Sequence, residues 1–293
     1  MPLFLNIVIP LWNPTFEQMK YWYDFALSNP GQIFVLVHDC IHYYVDSESI
    51  CYIHYDYHGF CSDTAKNFYV LKKFGWKGIP SSLAIAAEFL ISLELTWLDS
   101  SFVLVLDQDT KVNSLPLEES SIPFLSSNTI GYPGNIRSNK VMFLSLPWIQ
   151  WSGSLIPFTH FVNVDYKTLP KINHSDLFFM INSLQSGYLF EKIPSFSIDH
   201  QASPDRIIRI FGKDVIVPVL RRSFMALCSS ITFLAVRLRS PALIIPVISV
   251  VCIDLFRFIL SLLQAVLLVF GVNILFTFKG TSKKELFRGL NRS

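Results

Sequence analysis

The stretch that decides the fold is residues 101–110, SFVLVLDQDT, where an apolar segment runs directly into two aspartates separated by one residue. Five consecutive apolar residues, 102–106, are typical of a parallel strand that is buried on both faces. Asp107 and Asp109 then lie where the strand leaves the sheet, the edge at which open α/β sheets bind ligands. Carboxylates at such an edge can hold Mg²⁺ or Mn²⁺ together with substrate phosphates. The segment therefore predicts a site that handles a diphosphate.

The same two aspartates also have a purely structural explanation. Asp often follows a strand simply because its side chain helps to begin a turn. A single Asp-x-Asp after an apolar run fits either explanation, so other parts of the chain have to separate them.

Strand and helix patterns alternate on the amino-terminal side of this segment. Such alternation predicts an α/β fold with a mostly parallel sheet flanked by helices. The predicted elements are strands over 3–9, ended by Pro10, over 32–37 and over 50–57, and helices over 15–28 and 80–97.

The pattern is less regular on the carboxyl-terminal side. Residues 112–128 are rich in Ser and Pro and predict a loop, and residues 152–154 predict a turn between aromatic segments. Residues 175–186 predict a helix that ends at Gly187, followed by a strand over 188–198 that leads toward His200.

The two parts of the chain differ sharply in charge. Residues 1–204 carry 11 Lys plus Arg against 18 Asp plus Glu, a balance of −7, whereas residues 205–293 carry 13 against 4, a balance of +9. The basic part is also strongly apolar, which favours anionic lipid over nucleic acid as its partner. We therefore expect an enzymatic domain over 1–204 and a helical, membrane-associating tail over 205–293.

The tail contains an apolar run long enough to cross a bilayer. Residues 258–278 are 21 residues without a charge, and such a helix spans roughly 30 Å. Asp254 and Arg257 interrupt the longer apolar stretch, so helices that lie in the interface or form a hairpin are equally compatible with the sequence. A helical tail packed on the catalytic domain is the remaining alternative.

Cysteine and histidine residues give little indication of a metal or a disulfide framework. The five cysteines are odd in number and include no CxxC, which favours reduced thiols in a cytosolic setting. His and Cys residues cluster within 38–61, but their spacing does not follow a zinc framework. The first ten residues lack a basic segment and a cleavage site, so they predict a strand and not a signal peptide.

With these residues placed, the chain resembles the inverting glycosyltransferases of family 2, which have the GT-A fold. The likeness covers residues 6–202 and is strongest to the bacterial rhamnosyltransferase-like branch that builds O-antigen and capsular polysaccharides. It is carried by the order and spacing of NIVIPLWNP (6–14), FVLVHDC (34–40), FVLVLDQDT (102–110), WSGSLIP (151–157) and SDLFFMINSLQSGY (175–188).

The resemblance implies a role for residues in each of these segments. Donor binding falls to Pro10, Asn13, Asp39, Asp107 and Asp109. Within that set, Asp39 holds the nucleotide base, Asp107 lies toward the ribose, and Asp109 contacts the metal and the diphosphate.

The resemblance also implies an acceptor side and a catalytic base. Asp176, 11 residues before Gly187, matches the family's base, and His200 matches a His that helps to bind the metal or diphosphate. The acceptor-side loop is Trp151, Ser152 and Gly153.

Each of these residues has a structural alternative. Asp176 could cap the helix that follows it, His200 could be a turn residue, and Asp39 could simply end a strand. The segment 75–90 also lacks the Asn residues usual in the family, and Asn182 stands where an Arg is usual. These departures favour the rival hypothesis, a non-catalytic membrane-associated assembly subunit with a degenerate glycosyltransferase fold.

The function expected from the resemblance is transfer of a sugar from a nucleotide-diphosphate donor to a polyprenyl-diphosphate-linked glycan. The suggested donor is dTDP-L-rhamnose, the cofactor is Mg²⁺ or Mn²⁺, and the location is the cytoplasmic face of the inner membrane. A nucleotidyltransferase would need a Gly-rich or basic triphosphate loop, and the sequence has none.

Overall fold

A computed structural model of the protein describes residues 4–11, 14–38, 67–72, 78–94, 101–116, 127–135, 139–140, 147–148, 151–170, 175–200, 207–210, 213–216, 220–236 and 244–270. The chain divides into two compact units. The first unit contains residues 1–140 and 146–201, and the second contains residues 141–145 and 202–293. The predicted domains, 1–204 and 205–293, remain predictions.

The described part of the first unit contains eleven strands, four α-helices and one 3-10 helix. In chain order they are β1 (Leu5–Leu11), α1 (Phe16–Leu27), β2 (Ile33–His38), β3 (Phe68–Lys72), α2 (Ile79–Ser92), β4 (Phe102–Val105), β5 (Thr110–Ser114), β6 (Thr129–Pro133), β7 (Asn139–Lys140), β8 (Pro147–Trp148), β9 (Ser154–Pro157), α3 (Phe158–Asn163), the 3-10 helix (Tyr166–Thr168), α4 (Ser175–Gln185), β10 (Leu189–Ile193) and β11 (Ser197–His200).

Seven of these strands form one sheet in the order β10-β6-β9-β4-β1-β2-β3. Strands β1 to β4 are mutually parallel, β6 is parallel to β10, and β9 runs antiparallel to both of its neighbours. Outside this sheet, β5 pairs with β11 and β7 with β8. The prediction of an α/β fold with a mostly parallel sheet flanked by helices is confirmed.

Helix α1 covers the centre of the sheet, and its sequence explains how. Thr15 and Gln18 form a reciprocal capping box at its start, which satisfies two backbone N–H groups that the helix leaves without partners. Apolar residues at helical spacing then form one buried stripe that packs with β1, β2 and β4. The stripe consists of Met19, Trp22, Tyr23 and Ala26.

The prediction that the first strand stops at Pro10 is wrong, because β1 continues to Leu11 and Pro10 pairs with Val37 of β2. The carbonyl of Val8 accepts from Leu106 on the β4 side. Alternate residues face the same neighbour, so Pro10 also faces that side, where the β1–β4 pairing has already ended at Val105. No ladder hydrogen bond is therefore lost by its missing N–H.

Three other boundaries differ from the predictions. Helix α2 ends at Ser92 and not at residue 97, because Glu94 has a left-handed φ of 50° that a continuing helix cannot adopt. The predicted loop over 112–128 begins inside β5, and the predicted strand over 188–198 is two strands broken at Pro194. The helices predicted over 15–28 and 175–186 are confirmed, whereas the strand predicted over 50–57 lies outside the described residues.

Gly153 and Gly187 have similar left-handed backbones, with φ of 90° and 85°, but different surroundings. A Cβ on Gly153 would lie 2.5 Å from Cγ of Pro133, whereas a Cβ on Gly187 would meet nothing within 4 Å. We expect Gly153→Ala to lower the free energy of unfolding by about 1–3 kcal/mol more than Gly187→Ala does. Both variants share the left-handed strain of about 1–2 kcal/mol, so the difference reports overpacking alone. Urea denaturation of the two variants measures it, and equal midpoints would contradict the expected crowding.

The described part of the second unit contains two short strands and two long helices. Strands β12 (Ile207–Ile210) and β13 (Lys213–Ile216) form an antiparallel pair, and α5 (Leu220–Val236) and α6 (Ile244–Val269) follow. Residues Val247–Leu267 of α6 are long and apolar enough to cross a membrane. Asp254 and Arg257, predicted to interrupt the apolar stretch, both lie inside this continuous helix.

Candidate functional site

The candidate site lies at one edge of the main sheet. Because β1, β2 and β4 are parallel, their carboxyl ends meet at that edge. Pro10 is near the end of β1, and Asp107 follows β4 after Leu106, whose N–H donates to the Val8 carbonyl at 3.0 Å. Two other predicted donor-binding residues, Asn13 and Asp39, lie outside the described residues.

Asp107, Gln108 and Asp109 form a turn whose backbone is held by its neighbours. The N–H of Thr110 donates to the carbonyl of Asp107 at 3.0 Å, and the indole N–H of Trp22 in α1 donates to the carbonyl of Gln108 at 3.3 Å. The side chains of all three turn residues are half-buried. The turn therefore presents two carboxylates from a fixed backbone at the sheet edge.

The loop 151–153 clamps this turn from the other side. Strand β9 runs antiparallel to β4, so the loop that enters β9 lies beside the loop that leaves β4. The N–H of Gly153 donates to the Val105 carbonyl at 2.8 Å. The Ser152 hydroxyl accepts from the N–H of Asp107 at 3.2 Å and lies 2.6 Å from the hydroxyl of Thr110. Ser152 is only 1% exposed, so its pair with Thr110 lies away from water, and the two contacts together fix the turn.

Removing this clamp should cost stability. In Ser152→Ala the N–H of Asp107 and the hydroxyl of Thr110 lose a buried partner, so we expect the free energy of unfolding to fall by about 1–3 kcal/mol. Thr110→Val removes the hydroxyl pair but leaves the bond from the N–H of Asp107 to Ser152 in place, so it should cost less. Chemical denaturation of both variants and of the double variant measures the coupling. Additive effects of the two substitutions would show that the hydroxyls do not act together.

The same loop also contacts the start of α4. The indole N–H of Trp151 donates to the Ser175 hydroxyl at 2.8 Å, and its ring packs against Phe179 at 4.6 Å between centroids. Asp176 follows Ser175 and is half-buried, with Oδ1 accepting from the N–H of Leu177 at 2.9 Å. It lies inside the first turn of α4, not ahead of it. Asp176 is therefore not the N-cap residue, but its carboxylate still accepts a first-turn N–H, at the end of the helix where the dipole favours negative charge.

The small β5–β11 sheet brings His200 to the same turn. His200 pairs with Thr110, which directly follows Asp109, and Asp199 pairs with Lys111. The side chain of Asn135 also braces β11, donating to the Ile198 carbonyl at 2.6 Å and accepting from its N–H at 3.2 Å. His200 and Thr110, which are far apart in the sequence, therefore lie opposite each other on paired strands. The position of the His200 side chain lies outside what the structure describes.

Helix α4 is supported from behind by His160 of α3. Its Nε2 lies 2.8 Å from the Ser183 hydroxyl, and its ring stacks on Tyr188 at 3.7 Å between centroids and lies 5.5 Å from Phe179. The Ser183 hydroxyl donates to the Phe179 carbonyl at 2.8 Å, so its oxygen is left to accept from Nε2–H. Burial lowers the pKa of His160 from 6.5 to about 4. The neutral ring is therefore the form that fits the fold.

This shift predicts a loss of stability in acid. Because the folded-state pKa of His160, about 4, lies below the unfolded value of 6.5, the unfolded chain binds this proton first as the pH falls. Stability should therefore decline between about pH 6.5 and pH 4, and His160→Gln, which cannot titrate, should show a shallower decline. Thermal melts across this range test the difference in slope between the two proteins. Parallel profiles would remove His160 as the cause.

The three acceptor-side residues are buried and serve as structural links in the first unit. Trp151 and Ser152 contact α4 and the aspartate turn, and Gly153 bonds to β4. Contact with an acceptor stays a prediction for them. The clamp partners Thr110 and Ser175 were not predicted, although Thr110 directly follows the aspartates and hydroxyl side chains commonly brace turns.

Oxygen ligands at the turn suit a hard divalent cation. Asp107 and Asp109 supply two half-buried carboxylates on a fixed backbone, and such an ion keeps several waters and binds substrate phosphate with only one or two protein carboxylates. Among the residues that the structure describes, no three His, Cys, Asp or Glu side chains form a metal-binding group.

The chain matches no protein-family model and no curated protein.

Proposed function

We propose that the protein is an inverting glycosyltransferase of the GT-A type that acts on a lipid-linked acceptor. The observation that carries the proposal is the loop 151–153, which contacts both the aspartate turn through Ser152 and the start of α4 through Trp151. The proposed donor-binding carboxylates and the proposed base are thus both held, through hydrogen bonds, by one short loop. Pre-organisation of this kind is what a displacement reaction requires of its reacting groups.

The donor side of the proposed site is the edge formed by β1, β2 and β4. Asp109 would hold Mg²⁺ or Mn²⁺, with Asp107 toward the ribose, Asp39 on the base, and Pro10 and Asn13 beside the donor. When bound, the ion neutralises negative charge that develops on the departing diphosphate. The backbone contacts from Trp22 and Ser152 keep the two carboxylates in place while the donor enters. The pairing of His200 with Thr110 supports a place for it at this end of the site.

The acceptor side centres on Asp176. In the proposed reaction the acceptor oxygen forms a bond to the anomeric carbon while the bond from that carbon to the diphosphate oxygen breaks. The electron pair leaves with the nucleoside diphosphate, and the acceptor proton passes to the Asp176 carboxylate. A single displacement inverts the configuration at the anomeric carbon. The half-buried position of Asp176 in the first turn of α4 supports an ionised base that an acceptor can still reach.

The proposed substrates are dTDP-L-rhamnose and a polyprenyl-diphosphate-linked oligosaccharide of O-antigen or capsule synthesis. Such an acceptor is anchored in lipid, so the enzyme has to work at the cytoplasmic face of the inner membrane. The apolar second unit and the +9 balance of residues 205–293 support this location.

The test is a panel of nucleotide-sugar donors, incubated with full-length protein, Mg²⁺ or Mn²⁺ and acceptor extracted from membranes. We expect release of nucleoside diphosphate from one donor only, dependent on acceptor, with dTDP-L-rhamnose as the first choice. Product stereochemistry read by NMR should show inversion. If no donor on the panel is turned over while one still binds, the protein is instead a non-catalytic assembly subunit that kept the fold.

A further inference from the structure

Helices α5 and α6 of the second unit pack against each other as an antiparallel pair. The hydroxyls of Ser223 and Ser261 are 3.0 Å apart, and the rings of Phe224 and Phe258 are 5.6 Å apart between centroids. These contacts join the start of α5 to the second half of α6. Two helical turns from each serine, Ser230 therefore lies opposite Asp254. We call Ser223, Ser230, Asp254 and Ser261 the polar seam.

The polarity of this helix pair is inverted relative to that of a water-soluble one. Ser230, Asp254 and Ser261 in the seam are at most 3% exposed. The most exposed α6 residues that the structure describes are apolar apart from Cys252, although the side chain of Arg257 is also 43% exposed. The apolar ones include Ile248, Leu255, Phe256, Ile259, Leu262 and Leu263, each between 44% and 56% exposed. A pair that buries polar groups and exposes apolar ones is suited to a hydrocarbon solvent.

The two charges in the middle of α6 form an ion pair. Asp254 is 1% exposed, and its carboxylate lies 3.8 Å from the guanidinium of Arg257, whose side chain is 43% exposed. Ionisable residues inside a membrane protein pair with one another, and the buried member of this pair faces the interior of the helix pair. The remaining basic residues of this region flank the helices in the sequence, with Arg221 and Arg222 before the apolar part of α5 and Arg237 and Arg239 between the two helices.

Two other environments fit these observations poorly. A core helix of a soluble protein is mostly buried, but only 18% of the most apolar stretch of α6 is buried inside the structure. A helix that lies flat in the membrane interface turns its polar face toward water. In α6 that face, with Asp254 and Ser261, is buried and lies against α5.

We propose that α5 and α6 are immersed together in the lipid bilayer as a helical hairpin, with the polar seam inside and the apolar faces against acyl chains. The flanking arginines and the +9 balance of residues 205–293 select anionic headgroups at the surface. The 26 residues of α6 are about 39 Å long, enough to cross the hydrocarbon core at a tilt. This inference rests on the membrane location proposed above and replaces surface attachment by immersion.

The first experiment washes membranes that contain the full-length protein with high salt and then with alkaline carbonate. An immersed hairpin stays in the pellet through both washes and is released only by detergent. Release by carbonate overturns immersion but leaves the proposed membrane location intact. Protein that never sediments with membranes contradicts both.

The second experiment uses the native thiol of Cys252, on the exposed face of α6, with the other four cysteines changed to Ser. In vesicles that contain anionic phosphatidylglycerol, a polar maleimide should label Cys252 at least about tenfold more slowly than it labels a Lys192→Cys control, because the reagent has to enter hydrocarbon to reach Cys252. The matched control, Lys192→Cys on the cysteine-free chain, lies on an exposed site of β10. Equal labelling rates overturn the proposal.

A disulfide pair tests the inward seam in the same vesicles. With all native cysteines changed to Ser, Ser223→Cys and Ser261→Cys should cross-link under mild oxidation, because their side chains already touch. Ser223→Cys combined with Leu262→Cys, one residue away on the exposed face, should keep both thiols free. After the protein is unfolded, mass spectrometry counts the maleimide groups added and so gives the number of free thiols. Equal cross-linking of the two pairs overturns the seam.

Discussion

Asp109→Asn is expected to lower turnover by roughly 10²–10³-fold, the range for removing one pre-organised electrostatic contact from an active site. The substitution keeps the size of a half-buried side chain and removes one negative charge from the proposed cation site. The turn itself should survive, because its hydrogen bonds to Trp22, Ser152 and Thr110 involve backbone atoms of the turn. Turnover against Mg²⁺ or Mn²⁺ concentration, together with a thermal melt, gives the measurement.

Two matched variants make this result specific. Asp107→Asn should cost less than Asp109→Asn, since Asp107 is assigned to the ribose and not to the ion. Asp24→Asn, an exposed carboxylate on α1, should leave turnover unchanged although it removes the same charge. Full activity in excess chelator would remove the cation from the mechanism and the assignment of Asp109 with it.

Asp176→Asn is expected to lower turnover by about 10²-fold or more, the scale for losing a positioned general base, with donor affinity close to that of the unaltered protein. The donor should bind normally because the proposed role of Asp176, at the start of α4, is on the acceptor side. A purely structural Asp176 predicts something different. Asn would lose only the dipole interaction of about 0.3–1 kcal/mol, and turnover would stay near normal. Donor titration and turnover on one purified preparation separate the two roles.

Near-normal turnover of Asp176→Asn would move the search for a base to Asp165 or Asp199, both exposed in the first unit. Asp165 precedes the 3-10 helix, and Asp199 lies on β11 opposite Lys111. The same substitution at Asp165 is therefore the natural comparison. It should leave turnover unchanged if Asp176 is the base.

The elements that the sequence predicted best are those whose signals are local. Strands β2 and β4 are continuous apolar runs, which only a doubly covered sheet can bury. Helix α1 has a capping box, a buried stripe and no internal breaker. For such segments the neighbouring residues already determine whether a helix or a strand forms, so contacts with the rest of the fold do not alter the prediction.

The features that escaped prediction depend on pairing between distant segments. Pro10 predicts the end of a strand, but the β1–β4 pairing ends before Pro10, so its missing N–H is not needed there. Nothing local in 188–198 divides it between two sheets except Pro194. The same holds for the site: Asp107 and Asp109 were found from their strand, but the Ser152 clamp requires knowing that β9 lies antiparallel beside β4.

The place of β9 has a consequence for how the chain is made. Val105 at the end of β4 pairs with Ser154 at the start of β9, and at about 5–20 residues per second several seconds of translation separate the two. During that time β4 has β1 on one side and an open edge on the other, the kind of edge that other chains can pair with. A released fragment that ends shortly before residue 154 should therefore be more prone to aggregate than one that ends after 157.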